Sequence, residues 1–313
     1  MEPEDVSCFK MYFERMKKQL IVILGPTGSG KTTLSIEVAK HFRAPVLSCD
    51  SRQFYREIPI GTAAPTPEEQ DGVPHYFIGN RSVTDFYNCG RYEEDALNLL
   101  DELFLAHDRV VLVGGSGLYI DAVCEGMDDI PAVDPSIRPD LQKRLEKEGL
   151  ESLLESLRQL DPEYYEQVDR RNPARVIRAL EICLGTGKTY SELRKGHIKE
   201  RSFEVIKIGV NMPREELYKR INLRVDFMLE AGLEEEARRV YPLRGHNALQ
   251  TVGFREFFAY FDGEISRDEA IELIKRNSRR YAKRQMTWFG RDESTKWFTA
   301  GDPDEVFRYI KQS

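Results

Sequence analysis

The residues Gly25-Pro26-Thr27-Gly28-Ser29-Gly30-Lys31-Thr32 match the pattern G-x-x-x-x-G-K-[ST], which is suited to holding phosphate. Its glycines let consecutive backbone N–H groups turn inward as an anion nest, and a following helix adds the positive end of its dipole. Lys31 supplies a point charge to phosphate, and the Thr32 hydroxyl can reach Mg²⁺. A second Gly-Lys-Thr occurs at Gly187-Lys188-Thr189, but Ile182 stands where its first glycine should be. There Gly185 is expected to end a helix rather than bind phosphate.

The loop does not say which phosphate it holds. An ATP-driven machine uses an acid at the end of another apolar strand to hold Mg²⁺. The run Val110–Val113 ends instead in Gly114-Gly115. The acid at a strand end is Asp50, on the rim that carries the phosphate loop in an α/β sheet. Kinases of small molecules and group transferases use an acid there as a base on an acceptor. A helix cap or turn residue is the other reading of Asp50.

These residues need elements to hold them. Leu20–Leu24 is a continuous apolar, β-branched run of the kind that forms a buried parallel strand. A helix-length segment with Leu34, Ile36, Val38, Ala39 and Phe42 follows the phosphate loop. Ala44–Cys49 and Val110–Val113 read as further buried strands, with a helix over Tyr92–His107 between them. This alternation predicts a parallel α/β sheet flanked by helices. From Asp134 to about Lys199 the pattern is all helical, with Leu141, Leu145, Leu150, Leu153, Leu154 and Leu157 at helical spacing. Val205–Val210 then returns to the sheet, and helices are expected at Arg214–Ala231, Leu233–Tyr241 and Asp268–Phe289. The domains expected are an N-terminal extension at 1–18, a catalytic core at 19–126 and 200–313, and a helical insertion at 127–199.

Composition sets the outer bounds. The 313 residues carry 46 Lys and Arg against 53 Asp and Glu, a formal charge of −7. That balance argues against a wholly basic nucleic-acid binder but leaves room for a local basic face. The five cysteines are scattered and include no CxxC pair, which fits a reducing compartment. No apolar run is long enough to cross a membrane and the N-terminal segment is charged, so a cytoplasmic protein is expected.

Several stretches go beyond the phosphate loop. They are CDSRQFYREIPIGTAAP at Cys49–Pro65, LVGGSGLYI at Leu112–Ile120, RNPARVIRALE at Arg171–Glu181, QTVGFRE at Gln250–Glu256 and AKRQMTWF at Ala282–Phe289. With GPTGSGKT, and in this order, they resemble the tRNA dimethylallyltransferases (tRNA isopentenyltransferases) over nearly the whole chain. No Cys or His follows His246, so the resemblance is to the shorter bacterial members rather than to those with a C-terminal zinc finger.

The resemblance implies a P-loop NTPase-like fold and prenyl transfer. Dimethylallyl diphosphate would give its five-carbon group to N6 of the adenosine at tRNA position 37, beside the anticodon. Diphosphate would leave, and Mg²⁺ would assist. Asp50 would orient the exocyclic amine and accept its proton, Thr27 would help position the reacting centre, and Lys31 and Arg224 would neutralise the leaving group. Gly25 through Thr32 would bind the diphosphate. Arg220, four residues from Arg224 and on the same helical face, joins it or remains a solvated surface charge. The resemblance also implies tRNA contacts by Asp50, Ser51, Arg52, Gln53, Ser116 and Arg138. It extends them to Arg171-Asn172-Pro173-Ala174-Arg175 and to Gln250-Thr251-Val252-Gly253-Phe254-Arg255. Phe254 also reads as a core aromatic.

A charge pattern points the same way without the resemblance. Ile274–Arg291 holds seven basic residues, Lys275, Arg276, Arg279, Arg280, Lys283, Arg284 and Arg291, and no Asp or Glu. Such a helix gives sequence-independent affinity for nucleic-acid backbone, and Lys275, Arg279 and Lys283 are the contacts expected. The partners expected are thus the tRNA anticodon stem-loop and dimethylallyl diphosphate, with a monomer and no membrane. The competing reading is an ATP-dependent kinase of a small molecule or nucleotide. It explains the phosphate loop and Asp50, but not the basic helix or the Ile60–Ala64 loop. An enzyme prenylating free nucleotide leaves the helical insertion unexplained, and a non-catalytic RNA binder leaves Lys31, Thr32 and Asp50 unexplained.

Overall fold

The structure is a computed structural model that describes residues 18–313, so the extension expected at residues 1–18 lies outside the described residues except for Lys18. Strand β1 (Gln19–Leu24) runs into the phosphate loop and helix α1 (Lys31–Phe42), and β2 (Val46–Ser48) ends just before Asp50. Two single turns, α2 (Pro59–Thr62) and α3 (Pro67–Gln70), lead to β3 (His75–Tyr76). Helix α4 (Cys89–Ala106), β4 (Arg109–Gly114) and α5 (Gly117–Cys124) complete the first half. Helices α6 (Ile137–Glu148), α7 (Leu150–Leu160), α8 (Pro162–Gln167), α9 (Pro173–Thr186) and α10 (Tyr190–Leu193) follow without a strand. The chain returns through β5 (Glu204–Asn211), α11 (Arg214–Glu230), α12 (Leu233–Val240), α13 (Phe254–Phe261), α14 (Arg267–Phe289), β6 (Lys296–Thr299) and α15 (Pro303–Gln312).

The six strands form one parallel sheet in the order β3-β2-β4-β1-β5-β6. β1 lies between β4 and β5, with Leu20 in register with Val110 and Val205. All six of its residues are buried, because a central parallel strand is covered on both faces. Its alternation divides the core. Leu20, Val22 and Leu24 pack with Tyr92, Leu100, Ile120 and Phe289 on one side. Ile21 and Ile23 pack with Val38, Ala39, Val306 and Ile310 on the other. Each such side chain contributes about 1.5–3 kcal/mol by burial. A doubly covered parallel sheet binds ligands beyond the carboxyl ends of its strands, which is where the loops after β1, β2 and β4 meet.

The described residues divide into two compact units, 18–124 with 201–313 and 125–200. The second is a helical unit around Leu141, Leu153, Leu157, Val176 and Leu180. Its buried Asp161 caps α8 by accepting the Tyr164 N–H at 2.9 Å, and also accepts the Ser191 N–H and hydroxyl at 2.8 Å each. Helix α9 runs through Gly185 and ends at Gly187, which has φ +69°. Gly185 was expected to end this helix. It lies inside instead, because a Cβ there would fall 2.5 Å from the Val133 side chain.

The turn α2 is held from behind. Glu236 on α12 is fully buried, and its carboxylate accepts the backbone N–H groups of Ile60 (2.9 Å) and Gly61 (2.7 Å). Burial pushes this carboxyl up, and the two N–H bonds pull it back. Gly61 leaves room for the Phe254 ring, 2.5 Å from where a Cβ would stand. Glu236→Ala strands two buried donors, so it is expected to cost about 2–4 kcal/mol in urea unfolding and to raise amide exchange at Ile60 and Gly61.

Candidate active site

The phosphate loop follows β1 through Gly25, Gly28 and Gly30, all at positive φ. At Gly28 the backbone has φ +82°, and a Cβ would meet Ile221 at 3.1 Å, so only glycine fits both demands. Three cations surround this loop. Lys31 donates to the Pro26 carbonyl at 3.2 Å. Burial, helped by the Arg224 charge and opposed by Asp50, pushes its ammonium down to about 8. Arg224 donates to the Thr27 hydroxyl oxygen at 2.9 Å, and burial lowers its guanidinium below its usual range against the pull of Asp50. Arg220 is exposed at the mouth, its Nη2 3.6 Å from where a Gly30 Cβ would lie.

Asp50 starts the loop after β2. Its Oδ1 accepts the Arg52 N–H at 3.1 Å, an Asx turn that fixes the carboxylate. The neighbours expected to read a base are largely committed to the protein itself. Gln53 accepts from the Ser48 hydroxyl (2.9 Å) and donates to the Ala63 carbonyl (3.1 Å). The Arg52 guanidinium donates to the Asn247 (2.9 Å) and Ala248 (3.2 Å) carbonyls. Ser116, after β4, accepts the Ser51 N–H at 3.0 Å and donates to the Ser51 hydroxyl at 3.1 Å.

Two cavities meet at these residues. The larger, about 1060 Å³, is lined by the phosphate loop, Lys31, Thr32, Arg220 and the apolar Leu223 and Phe227 of α11. The smaller, about 280 Å³, is lined by Ser51, Arg52, Gln250–Gly253, Arg255, Tyr281 and Arg284. Thr27, Asp50 and Arg224 line both. One cavity therefore suits an anionic head with an apolar part, and the other a polar acceptor. A hydroxyl, a carboxylate and a guanidinium stand where the two would react.

The remaining expected residues divide by burial. Gln250 and Arg255 are exposed. Phe254 is fully buried against Ile58, Phe257 and Leu233, so it does not present its ring to a ligand and the core reading is the correct one. On α14, Lys275 pairs with Asp226 at 2.7 Å and Arg279 donates to Asn222 at 2.5 Å, both on α11. The exposed basic stripe is Arg276, Arg280 and Lys283, with Arg284 beside it. Of the expected trio, Lys283 is exposed, whereas Lys275 and Arg279 face α11. In the helical unit, Arg171 and Arg175 are exposed, and Asn172 caps α9 by accepting the Arg175 N–H at 3.2 Å. Arg138 makes a two-pronged pair with Glu181 at 2.9 and 3.2 Å. Burial raises that carboxyl, and the bonds from Arg138 and Arg178 outweigh burial and hold it low.

Two residues escaped the sequence reading. Gln285 is buried in α14 and bonds both the phosphate loop and the turn after β4. Tyr281 lines the smaller cavity. Its hydroxyl is pushed up to about 12, mainly by burial and the nearby Asp50. The signal for Gln285 was its phase: it repeats the spacing of the buried Ala270, Ile274, Ala282 and Phe289, where a polar residue has a specific partner.

A parallel sheet with this loop and these two joined cavities defines a P-loop NTPase-like enzyme of the group-transfer kind. The family model described as IPP transferase matches residues 53–292. A tRNA dimethylallyltransferase of Phocaeicola vulgatus is 54% identical over 94% of this chain and 98% of its own. One of Porphyromonas gingivalis is 55% identical over 91% and 95%. Among solved structures, the full-length tRNA isopentenylpyrophosphate transferase of Bacillus halodurans is 38% identical, with TM-score 0.69 over 95% of this chain and 96% of that one. A eukaryotic dimethylallyltransferase acting on tRNA gives TM-score 0.77 at 27% identity, over 94% and 77%. The chain belongs to the IPP transferase family, the tRNA dimethylallyltransferases, as its motifs suggested, and the kinase reading is not favoured. Among the described residues, no helix is long and apolar enough to cross a membrane.

Lys31 supplies a pH signature. Its proton is needed to meet an anion, and it is lost as pH rises through about 8. Since kcat/KM reports the free enzyme, kcat/KM for the phosphorylated donor is expected to fall above about pH 8. Lys31→Arg, which keeps its charge, is expected to remove that limb from the profile.

Proposed function

We propose that the protein transfers the dimethylallyl group of dimethylallyl diphosphate to N6 of the adenosine at tRNA position 37, releasing diphosphate. The observation that carries this reading is the meeting of the two cavities at Thr27, Asp50 and Arg224. The larger would hold the donor, its diphosphate on backbone N–H groups of Gly28–Thr32 and on Lys31, Arg224 and Arg220, and its apolar part toward Leu223 and Phe227. The smaller would admit the extruded base, since a base must leave its stack to react.

The chemistry then follows from charge. The C1–O bond of the donor breaks and its electron pair leaves with the diphosphate, where Lys31, Arg224 and the loop N–H groups already point. The N6 amine forms the new bond to C1 and gives its proton to Asp50. Arg224 holds the Thr27 hydroxyl and so fixes the edge of the reacting centre.

The donor set fits Mg²⁺. Thr32 lines the donor cavity as an oxygen donor, and no group of three or more His, Cys, Asp or Glu forms a dedicated cage among the described residues. Mg²⁺ commonly binds in this way, through few protein oxygens together with substrate phosphates. Thr32 would hold it, and when bound it would neutralise charge on the diphosphate.

On the tRNA side, the exposed Arg276, Arg280 and Lys283 would grip the phosphate backbone, and Gln250, Thr251 and Arg255 would border the base. Ser51, Arg52, Gln53 and Ser116 would shape the pocket around it. Residues 127–199 would act as a tRNA-binding domain through Arg171, Arg175 and Arg138, and 19–126 with 200–313 as the catalytic one. One chain lines both cavities, so a monomer acting in the cytoplasm suffices.

Labelled dimethylallyl diphosphate with Mg²⁺ is expected to label unmodified tRNA and not AMP. Turnover of ATP on a small acceptor, with no label in tRNA, would sink the reading. Asp50→Ala should lower kcat by roughly 10²–10⁴-fold while filter binding of tRNA persists. Neutralising Arg276, Arg280 and Lys283 together should flatten the salt dependence of tRNA binding by roughly one unit of slope per cation.

A further inference from the structure

Gln285 lies on α14 with only 5% of its surface exposed. Its amide oxygen accepts the Thr27 N–H at 2.9 Å, and its amide nitrogen donates to the Gly115 carbonyl at 2.8 Å. The fit is close enough to dictate the facing residue, since a Cβ on Gly115 would fall 2.1 Å from Gln285 Nε2. One residue further on, Ser116 bonds the Ser51 N–H and hydroxyl, and Ser51 adjoins Asp50. Hydrogen bonds thus link Thr27 to Gln285, Gln285 to Gly115 and, through the neighbouring Ser116, Ser51 in the loop of Asp50. They join the three loops that follow β1, β4 and β2. The same helix is tied to α11, which carries Arg220 and Arg224, by the Lys275–Asp226 pair and the Arg279–Asn222 bond.

We propose that Gln285 is a positioning residue that sets the distance between the anion-binding loop and the Asp50 carboxylate. Its effect on turnover rests on the prenyl-transfer reading, whereas its effect on the anion nest does not. The amide both accepts from Thr27 and donates to Gly115 at every pH, which a carboxyl of the same length does only when protonated. Losing it frees Thr27, which leads into the Gly28–Gly30 turn of the anion-binding loop and whose hydroxyl meets Arg224. A displacement of that kind is costly because reacting groups tolerate little misplacement.

Two variants test this. Gln285→Met keeps length and packing but removes both bonds. Calorimetric binding of inorganic diphosphate is expected to weaken on the order of tenfold. With tRNA and dimethylallyl diphosphate, kcat is expected to fall at least as far with KM for tRNA unchanged. Gln285→Glu is the signature variant. Ionised, its carboxylate cannot donate to Gly115; protonated, it accepts from Thr27 and donates to Gly115 as the amide does. The ratio of variant to wild-type diphosphate affinity is therefore expected to climb as pH falls from 8 toward 5.5. Lys31 is common to both proteins and drops out of that ratio. Diphosphate affinity in Gln285→Met within twofold of wild type, or a ratio for Gln285→Glu flat across that range, would overturn the proposal. A wild-type protein that binds diphosphate but labels no tRNA would instead overturn the prenyl-transfer reading, while the diphosphate measurements still decide the role of Gln285.

Discussion

Lys31 and Arg224 are crowded together and half-buried, with Asp50 as the carboxylate that attracts both. Desolvation lowers both cations, and their mutual repulsion adds to it at Lys31. The fold maintains this costly arrangement because an anion repays it. A polyanion arriving at the loop meets charges that water screens less than at an open surface.

The rest of the catalytic unit reads as support for that constraint. β1 delivers the loop from the centre of the sheet, where register with β4 and β5 allows no slip. α11 carries Arg220 and Arg224 on one face, with Leu217, Ile221 and Val225 buried on the other. Glu236 pins the Ile60–Gly61 turn, whose neighbour Thr62 offers its carbonyl to Arg224 at 3.4 Å. Glu256 does similar work for the Gln250–Arg255 loop. It accepts the Gly253 N–H at 2.8 Å and the Asn277 amide at 2.7 Å. Buried carboxylates bonded to loop N–H groups convert irregular backbone into fixed walls.

The phosphate loop, its strand and Asp50 were legible in the sequence because each depends on local spacing. So were the helices that carry periodic leucines. β3 and β6 were not. The first is two residues long and the second, Lys296–Thr299, is an edge strand with only Phe298 buried, so neither shows an apolar run. α13 was hidden because it is only eight residues long, too short for the helical spacing of Phe254, Phe257 and Phe258 to repeat. Among the site residues, types were legible but directions were not. Lys275 and Lys283 look alike as letters, and only helix packing turns one toward Asp226 and the other toward solvent. Net charge was the least informative quantity, since a stripe of exposed cations sits on a protein whose formal charge is −7.

The missing acid after β4 is a consequence of packing, and it bears on what the loop can hold. A Cβ on Gly114 would fall 2.6 Å from Cys49 Sγ and 2.9 Å from the Asp50 nitrogen, and one on Gly115 would meet Gln285. No aspartate or glutamate can stand at either position without displacing the Asp50 loop or the bond to Thr27. The space that an ATP-driven enzyme gives to a metal-holding acid is here filled by the backbone that presents Asp50. A carboxylate next to an acceptor cavity and a carboxylate holding a nucleotide's metal are therefore alternatives in this sheet. The three glycines at 114, 115 and 117, against Cys49, Gln285 and Trp288, choose the first. An enzyme that needs its carboxylate for an acceptor's proton, and lets the leaving diphosphate carry the metal, is the kind this geometry can serve.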